Sequence, residues 1–117
     1  MQLQFTFDQL RLLFRILEQD CRQLRDKISQ THDVDLKRLL NSEEATEEEL
    51  LDKVIARQLQ FSSDELDELA EVLRNHDRQL RKEMSQTPDE AGKQDLKNRC
   101  VALEQLLDKV VEACAML

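Results

Sequence analysis

The sequence is poor in residues that form tight turns and in large aromatic side chains. It contains one Gly, one Pro and four Phe, with no Trp or Tyr. A sheet protein needs frequent turns and uses aromatic residues heavily in its strands, so this composition disfavours a β fold. There is also no glycine-rich loop that could hold a phosphate group, and no nucleophile lies near a base in the sequence. We therefore do not expect an enzyme.

Clusters of positive charge, paired cysteines and long apolar segments are also lacking. The formal net charge is −8 and there is no Lys/Arg run, which argues against binding to nucleic acid. Cys21, Cys100 and Cys114 form no CxxC pair, so neither a disulfide framework nor a zinc site is expected. No segment has the length of a membrane span, and residues 1–5 do not resemble a signal peptide. We expect a cytoplasmic protein without membrane segments or cofactors.

What the sequence does contain is one motif used twice. Residues 3–10 (LQFTFDQL) return as residues 59–66 (LQFSSDEL), and a shift of about 56 residues aligns the two halves without a gap. About 24 aligned pairs are identical, far more than chance allows. The sequence therefore predicts a tandem duplication, with one domain over residues 1–117 built from halves 1–56 and 57–117.

Each copy of the motif carries two signals that start a helix. One is a capping box, in which the N-cap side chain and the third helical residue bond each other's backbone amide, and the other is a hydrophobic staple across the cap. The capping-box pairs are Thr6 with Gln9 and Ser62 with Glu65, and the staple pairs are Phe5 with Leu10 and Phe61 with Leu66. Helices are therefore predicted to start at about residue 7 and about residue 63.

Apolar residues then recur at alternating steps of three and four, which places them on one face of each predicted helix. In the first helix this face holds Phe7, Leu10, Phe14, Leu17, Cys21, Leu24 and Ile28. For the last helix, Thr87 is the expected N-cap, with Pro88 at the first helical position and Glu90 at the third. Two such hairpins predict an all-α fold, an antiparallel four-helix bundle whose tandem hairpins are related by an internal pseudo-two-fold axis.

The sequence leaves three parts of this architecture open. The acidic run, residues 43–49, interrupts an apolar face begun by Leu36 and Leu39, so the second helix is either continuous or broken near residues 41–46 with Thr46 as a new N-cap. The segments before the two leading helices could pair as a minimal two-stranded ribbon. The broad apolar face of the last helix also leaves a homodimer open.

Polar residues on the predicted seams need partners. Asp77 stands where the first copy has Cys21, and a carboxylate there requires either a wet layer or an Arg partner. We expect the duplicated arginines to pair with acids on the neighbouring helix, such as two that are also duplicated, and a partner-binding site is the alternative. These residues are Arg22, Arg25, Arg78 and Arg81, with Asp52 and Asp108. His32 and His76 are not at matching positions, so we interpret them as solvated or capping residues and predict no metal site.

The acidic run has no counterpart in the second copy, and a difference confined to one half marks where a duplicated scaffold can specialise. We therefore interpret this run, together with the apolar end of the last helix, as a candidate partner surface. Its residues are Glu43, Glu44, Glu47, Glu48, Glu49, Met116 and Leu117.

The sequence alone does not identify a function, but it favours one class. We expect a small non-catalytic interaction module, an adaptor, regulator or chaperone-like bundle that binds another protein. The alternative is an acidic inhibitor, of the immunity-protein or nucleic-acid-mimic type, that blocks a basic site on its target. A metal- or cofactor-binding helical bundle is a third hypothesis.

Overall fold

The computed structural model describes residues 3–116, which fold into four α-helices. Helix α1 spans Phe7–Gln30, α2 spans Val34–Ala56, α3 spans Ser63–Gln86 and α4 spans Glu90–Met116. Helix α1 packs mainly on α2 and α3 mainly on α4, while smaller contacts join the two pairs. The prediction of an all-helical four-helix fold is confirmed. None of these helices combines the length and the apolar character needed to cross a membrane.

Both leading helices start at the predicted capping boxes. The Gln9 amide donates to the Thr6 hydroxyl at 3.1 Å, and the Thr6 amide donates to the Gln9 side chain at 3.0 Å. Ser62 and Glu65 make the same two bonds at 3.2 and 2.9 Å. Because a cap is built from residues a few positions apart, the repeated motif was sufficient to locate both helix starts.

Helices α2 and α4 both start at an Asp N-cap, whereas Thr87 was the N-cap expected for α4. The side chain of Asp33 accepts hydrogen bonds from the first amides of α2, and Asp89 does the same for α4 at 3.3 and 3.2 Å. Thr87 instead belongs to the end of α3, where its hydroxyl donates to the Glu83 carbonyl at 2.7 Å. The prediction of Thr87 as N-cap and Pro88 as first helical residue was wrong by two positions. The Asp89 side chain accepts from the first amides of α4, while the Thr87 hydroxyl bonds back to α3.

Helix α2 is continuous through the acidic run. The Thr46 hydroxyl donates to the Ser42 carbonyl at 3.1 Å, one turn back along the same helix, so Thr46 does not start a new one. The first half of α2 is also more exposed than its leucine pattern indicated, because the side chains of Leu36 and Leu39 lie largely in solvent. The buried part of α2 begins only at Glu47.

All four helices contribute to one hydrophobic core. Its fully buried side chains are Leu13, Leu17, Leu50, Leu66, Leu69, Leu73, Leu103, Leu106, Val110 and Cys21. Phe7 is an exception to the predicted face of α1, because 63% of it is exposed. The core therefore begins one turn later along α1 than the three-four pattern indicated.

The two copies of the opening motif lie side by side. The Leu3 amide donates to the Leu59 carbonyl at 3.0 Å. Within residues 3–116 this contact does not extend into a strand, since only Gln60 has bridge geometry. The alternative of a two-stranded ribbon therefore reduces, in the described residues, to a single point of backbone contact.

Candidate functional site

The acidic run is divided among three environments. Arg25 of α1 donates to Glu44 at 2.7 Å through Nε and to Glu48 at 2.5 Å through Nη2, and its hydrogen bond lowers the pKa of Glu48. Glu47 points inward, whereas Glu43 and Glu49 are exposed to solvent. The run therefore does not present its glutamates on one face, because successive helical residues point in different directions. That it binds a partner stays a prediction.

Glu47 is the one charged residue that is buried among residues 3–116, with 3% of its surface exposed. Its Oε2 atom has no hydrogen-bond partner among the described residues. Burial, a hydrogen bond shared with Asp20 and the charges of Asp20, Glu68 and Glu43 raise the pKa of Glu47 above neutrality. Protonated, Glu47 can donate a hydrogen bond to the Asp20 carboxylate, which an ionised carboxyl group cannot do.

Glu47 and the three acids around it form an acidic cluster, and the positions that match it in the other half of the chain carry different side chains. His76 matches Asp20, Arg99 matches Glu43, Leu103 matches Glu47, and Leu12 of the first half matches Glu68. These four residues line one cavity of about 260 Å³. Burial lowers the pKa of His76 there. Glu47 and the three acids around it thus correspond to apolar and basic side chains around the matching cavity.

Two of the duplicated arginines, Arg25 and Arg81, pair with acids on the neighbouring helix, but not with those expected from the sequence. Arg81 donates to Asp77 at 3.0 Å and also pairs with Glu104, which matches Glu48 of the first half. Neither Asp52 nor Asp108 forms an ion pair within residues 3–116. Those two acids lie too far along their helices, because the arginines stand level with residues one to two turns earlier.

One pair of matching positions carries a cysteine and a carboxylate in opposite order in the two hairpins. In the first hairpin Cys21 is on α1 and Glu44 on α2, whereas in the second Asp77 is on α3 and Cys100 on α4. In each hairpin the carboxylate pairs with the duplicated arginine of the leading helix. Of the two alternatives for Asp77, a wet layer or an Arg partner, the structure shows the Arg partner, although the Oδ1 atom of Asp77 is buried without a partner in the described residues.

The three cysteines lie on the sides of their helices that face the core. Cys21 and Cys100 are buried, and Cys114 is partly buried. Burial, followed by the charge of Glu47, raises the pKa of Cys21 to about 11. His32 is exposed and His76 partly buried. No group of three or more His, Cys, Asp or Glu side chains in residues 3–116 has the arrangement of a metal site.

The first hairpin contains an open apolar groove of about 400 Å³, which sequence reasoning missed. Its residues are Phe7, Leu10, Arg11, Phe14 and Arg15 from α1, with Val54, Ile55 and Arg57 from the end of α2. We call it the Phe7 groove. Phe7 and Ile55 are 63% and 60% exposed, and both line this groove, so large apolar side chains lie together at the surface. Within residues 3–116 the three arginines form no ion pair.

The way α2 ends keeps the Phe7 groove open. Arg57 adopts a left-handed backbone conformation, with φ of 57°, and its amide bonds the carbonyls of Lys53 and Val54. A residue other than Gly rarely adopts positive φ, and here it ends the helix and turns the chain away. In the second half, α4 continues to Met116 past the position that matches this turn, and Cys114 lies against Asp67 of α3.

The matching face of the second hairpin carries different side chains from the Phe7 groove. At the matching positions Phe7 is replaced by Ser63, Arg11 by Asp67, Phe14 by Ala70, Arg15 by Glu71 and Arg57 by Ala113. Ala70 and Ala113 are buried there. Large apolar and basic side chains in one copy are thus small and acidic in the other. This contrast was present in the sequence, but it gains meaning only once the structure shows that the residues of the first hairpin line an open groove.

The remaining predicted surface residues are Met116, the last residue of α4, and Leu117. Met116 is 70% exposed, and Leu117 lies outside the described residues. Met116 lies in α4, whereas the acidic run lies in α2. No protein-family model, curated protein or solved structure matches this chain at a significant level.

Proposed function

We propose that this protein is a non-catalytic helical interaction module, an adaptor, regulator or chaperone-like bundle that binds another protein. The observation that carries this proposal is the Phe7 groove, which combines an apolar floor with three arginines, whereas most of the matching positions of the other hairpin carry smaller or acidic residues. A contiguous apolar surface rimmed by polar residues is typical of protein interaction sites. Buried aromatic anchors and arginines are also the residues on which interface affinity most often depends.

The scaffold behind the groove is, in this proposal, a pair of antiparallel hairpins related by a pseudo-two-fold axis. Two sets of matching contacts support it. Lys53 bonds Glu65 at 2.7 Å and the Gln60 carbonyl at 3.1 Å. Lys109 bonds Gln9 at 2.6 Å and the Gln4 carbonyl at 3.1 Å, at positions that match the first set one by one. A reducing compartment such as the cytoplasm suits a protein whose three cysteines are unpaired thiols.

The alternative function, an acidic inhibitor of a basic site, rests on the net charge of −8 and on exposed Glu43 and Glu49. Arg25 already pairs with Glu44 and Glu48, and Glu47 is buried. Fewer charges of the acidic run are therefore available to a basic target than its composition indicates. Binding by that mechanism would weaken steeply with salt and would depend on Glu43 and Glu49 instead of the groove.

Site-specific photocrosslinking tests the proposed function. A photoreactive phenylalanine derivative placed at Phe7 is expected to form a covalent adduct with a partner protein in the source cell. The same residue placed at Ser63, the matching exposed position of α3, is the control and is expected to form none. Equal crosslinking from both positions, or none from Phe7, would count against a partner site in the groove.

A further inference from the structure

We propose that the Phe7 groove binds an acidic amphipathic helix of a partner protein. This inference rests on the proposed function and names the chemistry of the partner. An apolar floor requires apolar side chains on one face of the partner, and a rim of three arginines requires carboxylates beside them.

The charge of the groove is opposite to that of the molecule that carries it. The chain has a formal charge of −8, yet the polar residues of the groove are all arginine. Arg11 stacks over the Phe7 ring at 5.9 Å, which holds its guanidinium at the edge of the apolar floor. Guanidinium groups form bidentate bonds with carboxylates, so acidic side chains on the partner are the expected complement.

The shape of the groove favours a helix as the occupant. Phe7, Leu10 and Phe14 follow each other at helical spacing along one wall, and Val54 and Ile55 of α2 form the other. The wall from Phe7 to Arg15 is about 12 Å long at the rise of an α-helix. A partner helix of about three turns would cover it with apolar side chains at positions i, i+4 and i+7. In the second hairpin, α4 extends about one turn past the matching point, and its Cys114 lies against Asp67 of α3.

Two other occupants fit the observations less well. An anionic membrane would attract three arginines, but it would repel the remainder of a strongly acidic molecule over the whole contact plane. A second copy of the chain could supply acidic residues, but Glu44 and Glu48 of its acidic run already pair with Arg25. Both occupants are outcomes of the experiment below.

The test uses three stapled helical peptides of about 14 residues, roughly four turns, that share the same Leu positions at i, i+4 and i+7. Their polar faces carry Glu, Gln or Lys. Fluorescence anisotropy with the full-length protein is expected to give about tenfold tighter binding for the Glu peptide than for the Gln peptide at low salt. The Lys peptide should bind weakest, and the difference should shrink as the salt concentration rises.

The repeat itself supplies the variants. The double variant Arg11→Asp, Arg15→Glu carries the residues of the second hairpin at those positions, and it is expected to reverse the order of the three peptides. The variant Phe7→Ser should weaken all three peptides alike, because it removes apolar floor without changing charge. The control variant Arg78→Glu, Lys82→Asp makes the same change of charge at exposed positions of α3 and should leave the order unchanged.

Each other result overturns the inference. Equal binding of the three peptides, a Glu preference that survives the Arg11 and Arg15 substitutions, or no binding of any peptide would exclude an acidic helix. Binding to phosphatidylserine-containing vesicles that the double variant abolishes would assign the groove to a lipid surface. A dimer in light scattering that the double variant dissociates would assign it to a second copy. Crosslinking from position 7 decides the proposed function separately, so the charge inference can fail while the interaction module stands.

Discussion

Lys53 Nζ lies 2.7 Å from the Glu65 carboxylate, and this contact joins the last turn of α2 to the first turn of α3. The ammonium group also lies 5.6 Å from the centre of the Phe61 ring. Burial opposes the ionised form of Glu65, but hydrogen bonds from Lys53 and Ser62 outweigh it and lower the pKa of Glu65. Lys109 makes the matching contacts with a neutral partner, Gln9. The two contacts therefore differ by one ion pair.

The substitution Lys53→Met is expected to lower the free energy of unfolding by about 1–2 kcal/mol, since it removes an ion pair that is largely shielded from solvent and a bond to the Gln60 carbonyl. Lys109→Met should cost about 1 kcal/mol, because its side-chain partner carries no charge. Urea denaturation measures both. Lys97→Met, at an exposed position, is the control and should change stability by less than about 0.5 kcal/mol. Equal losses at positions 53 and 97 would contradict the proposed role.

Glu47→Leu, which installs the residue found at the matching position 103, is expected to stabilise the protein at neutral pH. The raised pKa means that folded Glu47 retains a proton that the unfolded chain releases above about pH 4.3. The contribution of this group to stability is therefore complete below that pH and declines as the pH rises toward the folded-state pKa. The gain should be about 2–3 kcal/mol near pH 7 and should shrink toward pH 4.

The free energy of unfolding is measured across this pH range for two further variants. Glu47→Gln is a second test, and Glu49→Gln is the control. Glu47→Gln removes the ionisable group but keeps the shape of the side chain, so it should also flatten the decline of stability with pH. Glu49 is exposed on the same helix, and its substitution should leave the decline unchanged. A decline that persists in both Glu47 variants would show that another group causes it.

Native thiol labelling should find one accessible cysteine. Cys114 is partly exposed, whereas Cys21 and Cys100 are buried, so only Cys114 is expected to react with a thiol reagent near pH 8 before the protein unfolds. The reaction should be slow, because burial followed by the charge of Asp67 raises the pKa of Cys114. The variant Cys114→Ser should lose this phase, and all three thiols should react in denaturant. Rapid native labelling of Cys21 would contradict its place in the core.

Ser62 and Ser63 offer a direct test of the repeated start signal. Ser62→Ala removes the hydroxyl that accepts from the Glu65 amide and should cost about 1 kcal/mol of unfolding free energy. Ser63→Ala changes the next residue, whose side chain is exposed, and should be nearly neutral. Thermal or urea unfolding of the pair isolates the cap from a general effect of losing serine. Similar effects at both positions would argue against the capping box.

The sequence was most informative where interactions are local. Both capping boxes involve residues three positions apart, and the structure confirms them. It was less informative for helix faces, since Phe7 and Leu39 obey the apolar pattern and are nevertheless exposed. The apolar pattern predicts which side chains share a face of a helix, but those side chains are buried only if another helix packs on that face. The expected ion partners Asp52 and Asp108 were wrong for a related reason, because the level at which two helices meet is not encoded in either helix alone.

By itself, the sequence determined the helical class and the positions where the leading helices start, because these depend on composition and short-range bonds. The tertiary structure alone decided the fate of similar residues in the acidic run: Glu44 pairs with Arg25, Glu47 is buried and Glu43 is exposed. It also decided that the first hairpin has an open groove, since α2 ends at Ala56 whereas α4 continues to Met116. Both outcomes depend on which helix lies opposite a given side chain, and that is a property of packing between distant segments.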